Sequence, residues 1–329
     1  MLPATPPRLA MPLQTFSVAA WIGGLLLNCL IVEFAIAQVT PASTRGRRLA
    51  PDVLEVIKPG HEYGDTMQGP VDLPFVAGHP DLAWSPNTIA ESDTLLEMGK
   101  GVRFRVDVYG LEFAFKPARM IEVEMPTAEG FRRKNVWYLL YRVRYVGGDY
   151  QPIPEADPHN NKVFTTESVS TKWVRFMPQF TLDAKGIGQY REKLSAVAKA
   201  AIAARERVGQ PIYDSIEMQK LKIEISTPGN NHEYWGVATW HDLNPHIDFF
   251  TIEVRGLTNA QRIEQLPDGT LDYQQKSLVL YFSRPGDAVN ELLDEIRYGI
   301  PAIEDQTRQK YVLDQFGVEK RLDYQWLYR

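Results

Sequence analysis

Histidine and carboxylate side chains are concentrated in the stretch HEYWGVATWHDLNPHID, at residues 232–248. Imidazole nitrogens and carboxylate oxygens bind zinc and other divalent metals, and a site needs three or four of them around one ion. A strand, a turn and a second strand would bring the two ends of this stretch together. The candidate metal ligands are therefore His232, His241 and His246, and a metal-dependent envelope hydrolase is one possible function.

The motifs of known enzyme classes do not support catalysis. A metalloprotease helix requires a second histidine four residues after His232, and Gly236 stands there instead. Asn244-Pro245 is typical of a tight turn whose polar neighbours are solvated. The sequence also lacks a G-x-S-x-G nucleophile elbow, a P-loop and a complete dinucleotide-binding glycine motif. We therefore assign no catalytic residue and no cofactor, and favour a non-enzymatic role over the hydrolase.

Basic residues exceed acidic ones between residues 101 and 145, although the whole chain has a net charge of -5. One predicted strand carries Arg103 and Arg105, and another carries Arg142 and Arg144 with Tyr138 on the same face. If these strands are neighbours, their polar faces form one basic surface. Such a surface would bind a phosphate, an acidic glycan or an acidic protein. The other interpretation is a solvated face whose arginines pair with local acids.

The first 37 residues differ from the rest of the chain. An apolar stretch at residues 16–37 ends in Ala35-Ile36-Ala37, which predicts a signal peptide with an A-x-A cleavage site. The stretch is also long enough to be an uncleaved membrane anchor. Glu33 favours cleavage because a carboxylate is costly in the hydrocarbon, whereas the arginines after the stretch favour retention on the cytoplasmic side. Export to the periplasm or cell surface is the prediction, with membrane contact only if this segment is retained.

The cysteine count and the charge restrict chemistry and partners further. Cys29 is the single cysteine and lies inside the apolar stretch, so a cleaved product would have neither a disulfide nor a thiol nucleophile. The negative net charge argues against a nucleic-acid partner. The partner that we predict is an envelope protein or an acidic glycan.

Alternating apolar and polar residues predict β-strands in two regions. In the first region, WYLLYRVRYVGG at residues 137–148 places Trp137, Leu139, Tyr141, Val143 and Tyr145 on one face, before a glycine turn. In the second region the alternation recurs at residues 235–240, 250–255 and 278–282. Strands at this spacing, with turn residues between them, are typical of β-sandwiches. The predicted fold is mainly β, with two antiparallel immunoglobulin-like sandwich units.

The predicted organisation has five parts. Residues 1–37 are the signal peptide or anchor, and the Pro/Gly-rich residues 38–94 form an extended arm. Residues 95–186 form the first β unit and residues 210–329 the second, which ends with helices near residues 290–296 and 306–316. Between them, the alanine-rich run REKLSAVAKAAIAARERV predicts a helix within residues 187–209 that packs on a sheet and stops at Gly209. Whether the two β units are a duplication is left open.

Several runs of the sequence resemble an uncharacterised family of exported bacterial proteins. The runs are WGVATWHDLNPHIDFFTIEVRGLTNA, FSRPGDAVNELLDEIRYGIP and the terminal YQWLYR, with LEFAFKPARMIEVEMP and WYLLYRVRY in the same pattern. The resemblance covers most of the chain after about residue 95. It implies export but no activity, because this family has no assigned function.

Overall fold

The computed structural model describes residues 49–50, 52–70, 103–128, 130–156, 158, 162–268, 270–285 and 295–329. The predicted signal peptide or anchor at 1–37, Cys29 within it, and most of the helix predicted near 290–296 lie outside these residues. Within the described ranges, no helix is long and apolar enough to cross a membrane. The described residues all belong to one compact unit that spans residues 41–329.

The described chain is mainly β, as predicted. The strands are β1 Glu55–Ile57, β2 Met67–Pro70, β3 Arg103–Arg105, β4 Leu111–Phe115, β5 Arg119–Thr127, β6 Gly130–Tyr145, β7 Asp149–Ala156, β8 Lys162–Val169, β9 Trp173–Val174, β10 Gln179–Ala184, β11 Gly188–Arg191, β12 Ile212–Tyr213, β13 Ile223–Glu224, β14 Tyr234–His241, β15 Phe249–Arg255, β16 Gln261–Gln265, β17 Leu271–Ser283, β18 Arg297–Tyr298 and β19 Tyr324–Tyr328. The α-helices are α1 Ala196–Glu206, α2 Ser215–Lys220 and α3 Gln306–Phe316.

Two sheets contain most of these strands. The first has the order β1-β4-β6-β14-β12 with β5 also paired to β6, and the second has the order β11-β10-β15-β17-β16 with β18 and β19 also paired to β17. Both predicted β units contribute to both sheets, because β6 pairs with β14 and β10 pairs with β15. The two regions therefore share one body, which differs from the predicted division into separate units. Alternation in a sequence identifies the buried face of a strand but does not identify its neighbour.

The core lies between the two sheets and is rich in aromatic side chains. Trp137 of the first sheet packs edge-on against Phe250 of the second, with ring centroids 5.3 Å apart. Phe115 and Phe282 form a similar pair at 6.1 Å. Edge-to-face pairs of this kind contribute about 0.5–1.5 kcal/mol each beyond their buried area. The contacts hold the two sheets face to face.

The middle of strand β6, from Val136 to Tyr141, is buried on both faces. The five residues predicted to face the core, from Trp137 to Tyr145 at alternate positions, are at most 4% exposed, which confirms that prediction. On the opposite face, Tyr138 and Leu140 are also buried, because Ala198 and Ile202 of α1 pack against them. The predicted packing of the alanine-rich helix on a sheet is thus confirmed, and it removes Tyr138 from the surface.

Helix α1 is shorter than predicted. It begins after Ser195, whose side chain accepts a hydrogen bond from the Ala198 N–H, and it ends at Arg207 in the left-handed conformation. The residues before it form β11, whose Tyr190 opposes Leu182 of β10. The first residues of the range 187–209, within which the helix was predicted, are therefore strand. Helix α3 confirms the prediction at 306–316, and the terminal YQWLYR continues the second sheet as β19, against β17.

Part of the predicted arm at residues 38–94 is described. Strand β1 pairs with β4, so this part of the arm packs onto the body. A short 3-10 helix at Tyr63–Thr66 follows, and β2 pairs with β3 in a small separate sheet. Long helices are absent from the described part of the arm, as its prolines predict.

A candidate binding site beside Asp149

The predicted basic surface is not assembled, because its two strands are not neighbours. Strand β3, with Arg103 and Arg105, pairs with β2. Strand β6, with Arg142 and Arg144, pairs with β4, β5 and β14. Arg105 instead donates a hydrogen bond to the Thr66 hydroxyl at 3.3 Å. The assumption that the two arginine-bearing strands are adjacent is therefore wrong.

Arg142 and Arg144 pair with acids of the adjacent strand and of the segment that leads into β14. Arg142 Nη1 lies 2.7 Å from Glu233 Oε1, and Arg144 binds Glu112 through two nitrogens at 2.8 Å and 3.0 Å. Arg142 also contacts Glu112 at 3.4 Å, and the Arg142 side chain is only 12% exposed. These ion pairs neutralise much of the charge that an acidic ligand would need. The geometry thus agrees with the interpretation in which the arginines pair with local acids.

Tyr138, which was predicted to lie beside the basic surface, belongs to a buried charge cluster under α1. Its hydroxyl donates to Glu206 Oε1 at 2.6 Å, and Lys116 and Arg119 contact the same carboxylate at 3.2 Å and 3.0 Å. Burial, followed by the hydrogen bond to Glu206, raises the pKa of Tyr138. A buried carboxylate requires such partners, so this cluster explains how Glu206 ends α1 inside the protein.

The three histidines of the predicted metal site are not brought together. His232 precedes β14 and His241 is its last residue, so the extended strand separates them by roughly 25–30 Å. His241 Nδ1 lies 2.7 Å from Asp242, and His232 Nε2 lies 3.6 Å from Glu224. In the part of the chain that the structure describes, no group of three or more His, Cys, Asp or Glu residues could hold a metal ion. Strands β14 and β15, on either side of the Asn244-Pro245 turn, belong to different sheets, so they do not form the hairpin that would bring the two ends of this stretch together.

An open cavity of about 290 Å³ lies where β7, β8 and β9 meet the segment that leads into β4. Its lining residues come from distant parts of the chain: Asp107, Val108, Tyr109, Asp149, Tyr150, Gln151, Val169, Thr171, Trp173, Val174, Arg175 and Asn259. Bridge pairing between Val108 and Tyr150 joins the segment before β4 to β7. The lining combines valine and aromatic side chains with a few polar groups, which is typical of small-ligand sites.

Asp149 is the buried polar group of this cavity and is 4% exposed. The Tyr145 hydroxyl donates to its Oδ2, while Oδ1 is buried and has no partner of hydrogen-bonding geometry among the described residues. Burial raises the pKa of the Asp149 carboxyl, although the Tyr145 hydrogen bond, the charge of His61 and the N–H groups of Gly110 and Thr171 lower it in part. The cavity lining therefore includes a buried carboxylate, one oxygen of which lacks a side-chain partner among the described residues.

A glycine turn places Asp149 beside Tyr145. Gly147 and Gly148 have φ values of +71° and +79°, and they lie in the short connection between β6 and β7. A side chain at Gly147 would also lie 2.3 Å from the Ser170 hydroxyl. The turn predicted from Gly147-Gly148 is confirmed, and it brings an acid back against the end of a buried strand.

Aromatic residues form the walls of the cavity. The Tyr109 hydroxyl donates to the Arg175 carbonyl at 3.0 Å, and its N–H donates to Asn259 Oδ1 at 2.9 Å, which fixes the residue in place. Burial and then the charge of Asp149 raise the pKa of Tyr109. Trp173 is 42% exposed and lies beside the Arg175 guanidinium, 5.8 Å from its ring centre. The walls are thus preformed, with one partly exposed indole at the edge.

The sequence reasoning did not find this cavity. Its residues lie between positions 107 and 259, and no short motif connects them. The one local feature was the acid that follows Gly147-Gly148, which by itself is an ordinary turn residue. Comparison with protein-family models, with curated proteins and with solved structures gives no match. The resemblance to a family of exported proteins therefore stays a prediction.

Proposed function

We propose that the protein is an exported, non-enzymatic binding or structural component of the bacterial cell envelope, and that it binds a small ligand in the cavity beside Asp149. One observation carries the binding role: Asp149, a buried acid with one carboxylate oxygen that lacks a side-chain partner among the described residues, is part of the lining of an open cavity. A buried polar group without a hydrogen bond costs about 1–3 kcal/mol, which a ligand donor would recover. The cavity volume of about 290 Å³ lies near the lower end of small-ligand sites, at roughly 300–1,000 Å³.

Export rests on the sequence at residues 16–37, with its apolar stretch and A-x-A site. We propose the periplasm or the cell surface as the location, and anchoring by residues 16–37 is the alternative. An envelope protein or an acidic glycan is the proposed macromolecular partner. The ion pairs of Arg142 and Arg144 leave less free charge for such a partner than the sequence suggested.

The finer description of the fold is also a proposal. Two facing sheets that enclose an aromatic core support an immunoglobulin-like sandwich. The parallel pairing of β12 with β14 departs from a purely antiparallel sandwich. The metal-dependent hydrolase has no supporting observation among the described residues, since His232 and His241 lie at opposite ends of β14.

The binding role can be tested by blocking the cavity. Gln151 lies in β7, is exposed and lines the cavity, so a tryptophan there should fill the opening without disturbing the core. Thr165→Trp is the matched control, because Thr165 is exposed on β8 of the same hairpin and does not line the cavity. Each protein is incubated with an extract of the bacterial envelope and then measured by native mass spectrometry.

We expect the unmodified protein and Thr165→Trp to carry a bound small molecule, and Gln151→Trp to carry none. The melting temperatures of the three proteins should agree within about 2 °C, because both positions are exposed and surface substitutions have small effects. Equal ligand occupancy in all three proteins would contradict the assignment of binding to this cavity. No bound species in any of them would contradict the binding role itself.

A further inference from the structure

We propose that the cavity beside Asp149 binds a small organic ammonium ion, whose charged end pairs with the Asp149 carboxylate and whose apolar body packs against the aromatic and valine walls. This inference rests on the proposed binding function and adds the chemical class of the ligand. It follows from three features of the site: the unmatched acid, the balance of charge in the lining, and the aromatic walls.

Asp149 differs from other buried acids of this protein in its partners. Glu206 contacts Lys116 and Arg119, and Asp65 contacts Lys276 at 2.7 Å. Asp149 is equally buried, but the partner of its Oδ2 is the neutral Tyr145 hydroxyl. Its Oδ1 has no hydrogen-bond partner among the described residues. The described residues place no lysine or arginine against Asp149, and since buried carboxylates are stabilised by cations, a cationic ligand would complete this site.

The nearby histidine, His61, does not fill this place. His61 Nε2 lies 2.8 Å from the Gly148 carbonyl, and the His61 ring packs edge-on against Tyr150 at 5.2 Å. The ring is therefore held beside Gly148 and Tyr150. An imidazole in this position still leaves Oδ1 without a donor.

The remaining lining favours a cation over an anion or a neutral polar molecule. Asp107 adds a second acid, and Arg175 is the basic residue of the lining. An anionic ligand would place its charge against two carboxylates. An ammonium group offers three hydrogen-bond donors to Oδ1 and its surroundings and is attracted to the faces of aromatic rings. Tyr109 is the aromatic wall that suits it, because the Trp173 ring already faces the Lys222 ammonium at 4.7 Å and the Arg175 guanidinium at 5.8 Å. A sugar hydroxyl can also donate to Oδ1 but gains no comparable charge interaction.

The test uses phenethylamine and its neutral counterpart 2-phenylethanol, which have the same shape and differ in the ammonium group. Binding of each to the full chain is measured by calorimetry at pH 7. Methyl glucoside tests a sugar, and Nα-acetyl-lysine amide tests a lysine side chain of a protein. The variants are Asp149→Asn, which keeps a Tyr145 acceptor, and Asp107→Asn, a matched change of the exposed acid in the same lining.

We expect phenethylamine to bind at least tenfold more tightly than 2-phenylethanol or methyl glucoside. Asp149→Asn should weaken phenethylamine by roughly tenfold to a hundredfold, the effect of a lost charge-assisted hydrogen bond, and Asp107→Asn by less than about threefold. If Nα-acetyl-lysine amide binds as tightly as phenethylamine, the ammonium class stands and its source is a protein side chain.

Two outcomes would overturn the inference, and they differ in what they say about the proposed function. Equal affinities for phenethylamine and 2-phenylethanol, or unchanged amine binding in Asp149→Asn, would refute the ammonium class while leaving a binding cavity. If none of the probes binds but the unmodified protein carries an envelope molecule that Gln151→Trp does not carry, the ammonium class is also refuted. The proposed binding function would then still stand. Should Asp149→Asn not fold, Gln151→Trp must abolish amine binding for the inference to stand.

Discussion

The substitution Glu192→Gln is expected to make the protein more stable above pH 7 and to leave its stability unchanged near pH 4. Glu192 follows β11, where its N–H donates to the Phe180 carbonyl, and its side chain is half-buried beneath α2. The Ser215 hydroxyl donates to Glu192 Oε2 at 2.8 Å. Burial raises the pKa of Glu192 to about 7; the Ser215 hydrogen bond lowers it in part and the charge of Asp214 raises it.

The sign of the effect follows from comparing the folded and unfolded states. Between pH 4.5, the ordinary pKa, and pH 7, the folded protein retains a proton at Glu192 that the unfolded chain releases. The free energy of unfolding therefore falls as the pH rises through this interval, and the loss persists above pH 7. The interval from 4.5 to about 7 corresponds to about 3 kcal/mol, and the partial contact of the carboxyl with water reduces this to roughly 2 kcal/mol.

Urea unfolding at pH values from 4 to 8 measures this difference. Glu192→Gln keeps an acceptor for Ser215 and carries no charge, so its free energy of unfolding should exceed that of the unmodified protein by roughly 2 kcal/mol at pH 8. The control is Glu319→Gln, which changes an exposed glutamate and should give a curve that superimposes on the unmodified protein. Parallel curves for Glu192→Gln and the unmodified protein at all pH values would refute the reasoning.

Two further substitutions test the packing around β6 by the same urea measurement. Arg142→Ala leaves two half-buried carboxylates without this cation, so the free energy of unfolding should fall by about 2–3 kcal/mol. The control is Arg133→Ala at an exposed position, which should lower it by less than about 0.5 kcal/mol. Equal effects of the two substitutions would mean that the Arg142 ion pairs do not stabilise the fold. Gly236→Ala places a methyl group 2.3 Å from the buried Tyr141 ring, so the free energy of unfolding should fall by about 1–3 kcal/mol. An unchanged free energy of unfolding would mean that the ring can move to make room for the methyl group.

The sequence predicted the secondary-structure content and the buried faces of the strands better than it predicted which strands pair. Alternation identified the inward residues of β6, β15 and β17, because a strand that faces a core must be apolar at every second position. It could not show that β6 pairs with β14 or that β10 pairs with β15, since pairing across about 70–100 residues depends on complementary surfaces. The prediction of two separate β units followed from this missing information.

The candidate site was less accessible to sequence reasoning than the fold. Arg142 and Arg144 stood out because charged residues on a regular strand form a visible pattern, yet their partners Glu112 and Glu233 were too distant to be paired in advance. Tyr138 was assigned to the surface because it shares a face of β6 with Arg142 and Arg144. These charged residues concealed that the middle of the same face is apolar and aromatic and lies beneath a helix. Asp149 carried no pattern, since a turn acid is common and its burial depends on Tyr145 and on segments far along the chain.

Four buried or half-buried acids of this fold divide into two groups by their partners. This division indicates which acid is expected to bind a ligand. Glu206 and Asp65 are buried against lysine or arginine, so their charges stabilise the structure. Glu192 and Asp149 accept hydrogen bonds from hydroxyl groups instead, and burial raises both of their pKa values. Keeping such acids costs stability, so an acid of this kind that opens onto a cavity indicates use by a ligand. Glu192 lies against α2 and its Ser215, whereas Asp149 lines an open cavity with aromatic walls, and for this reason we propose Asp149 rather than Glu192 as the ligand-binding acid.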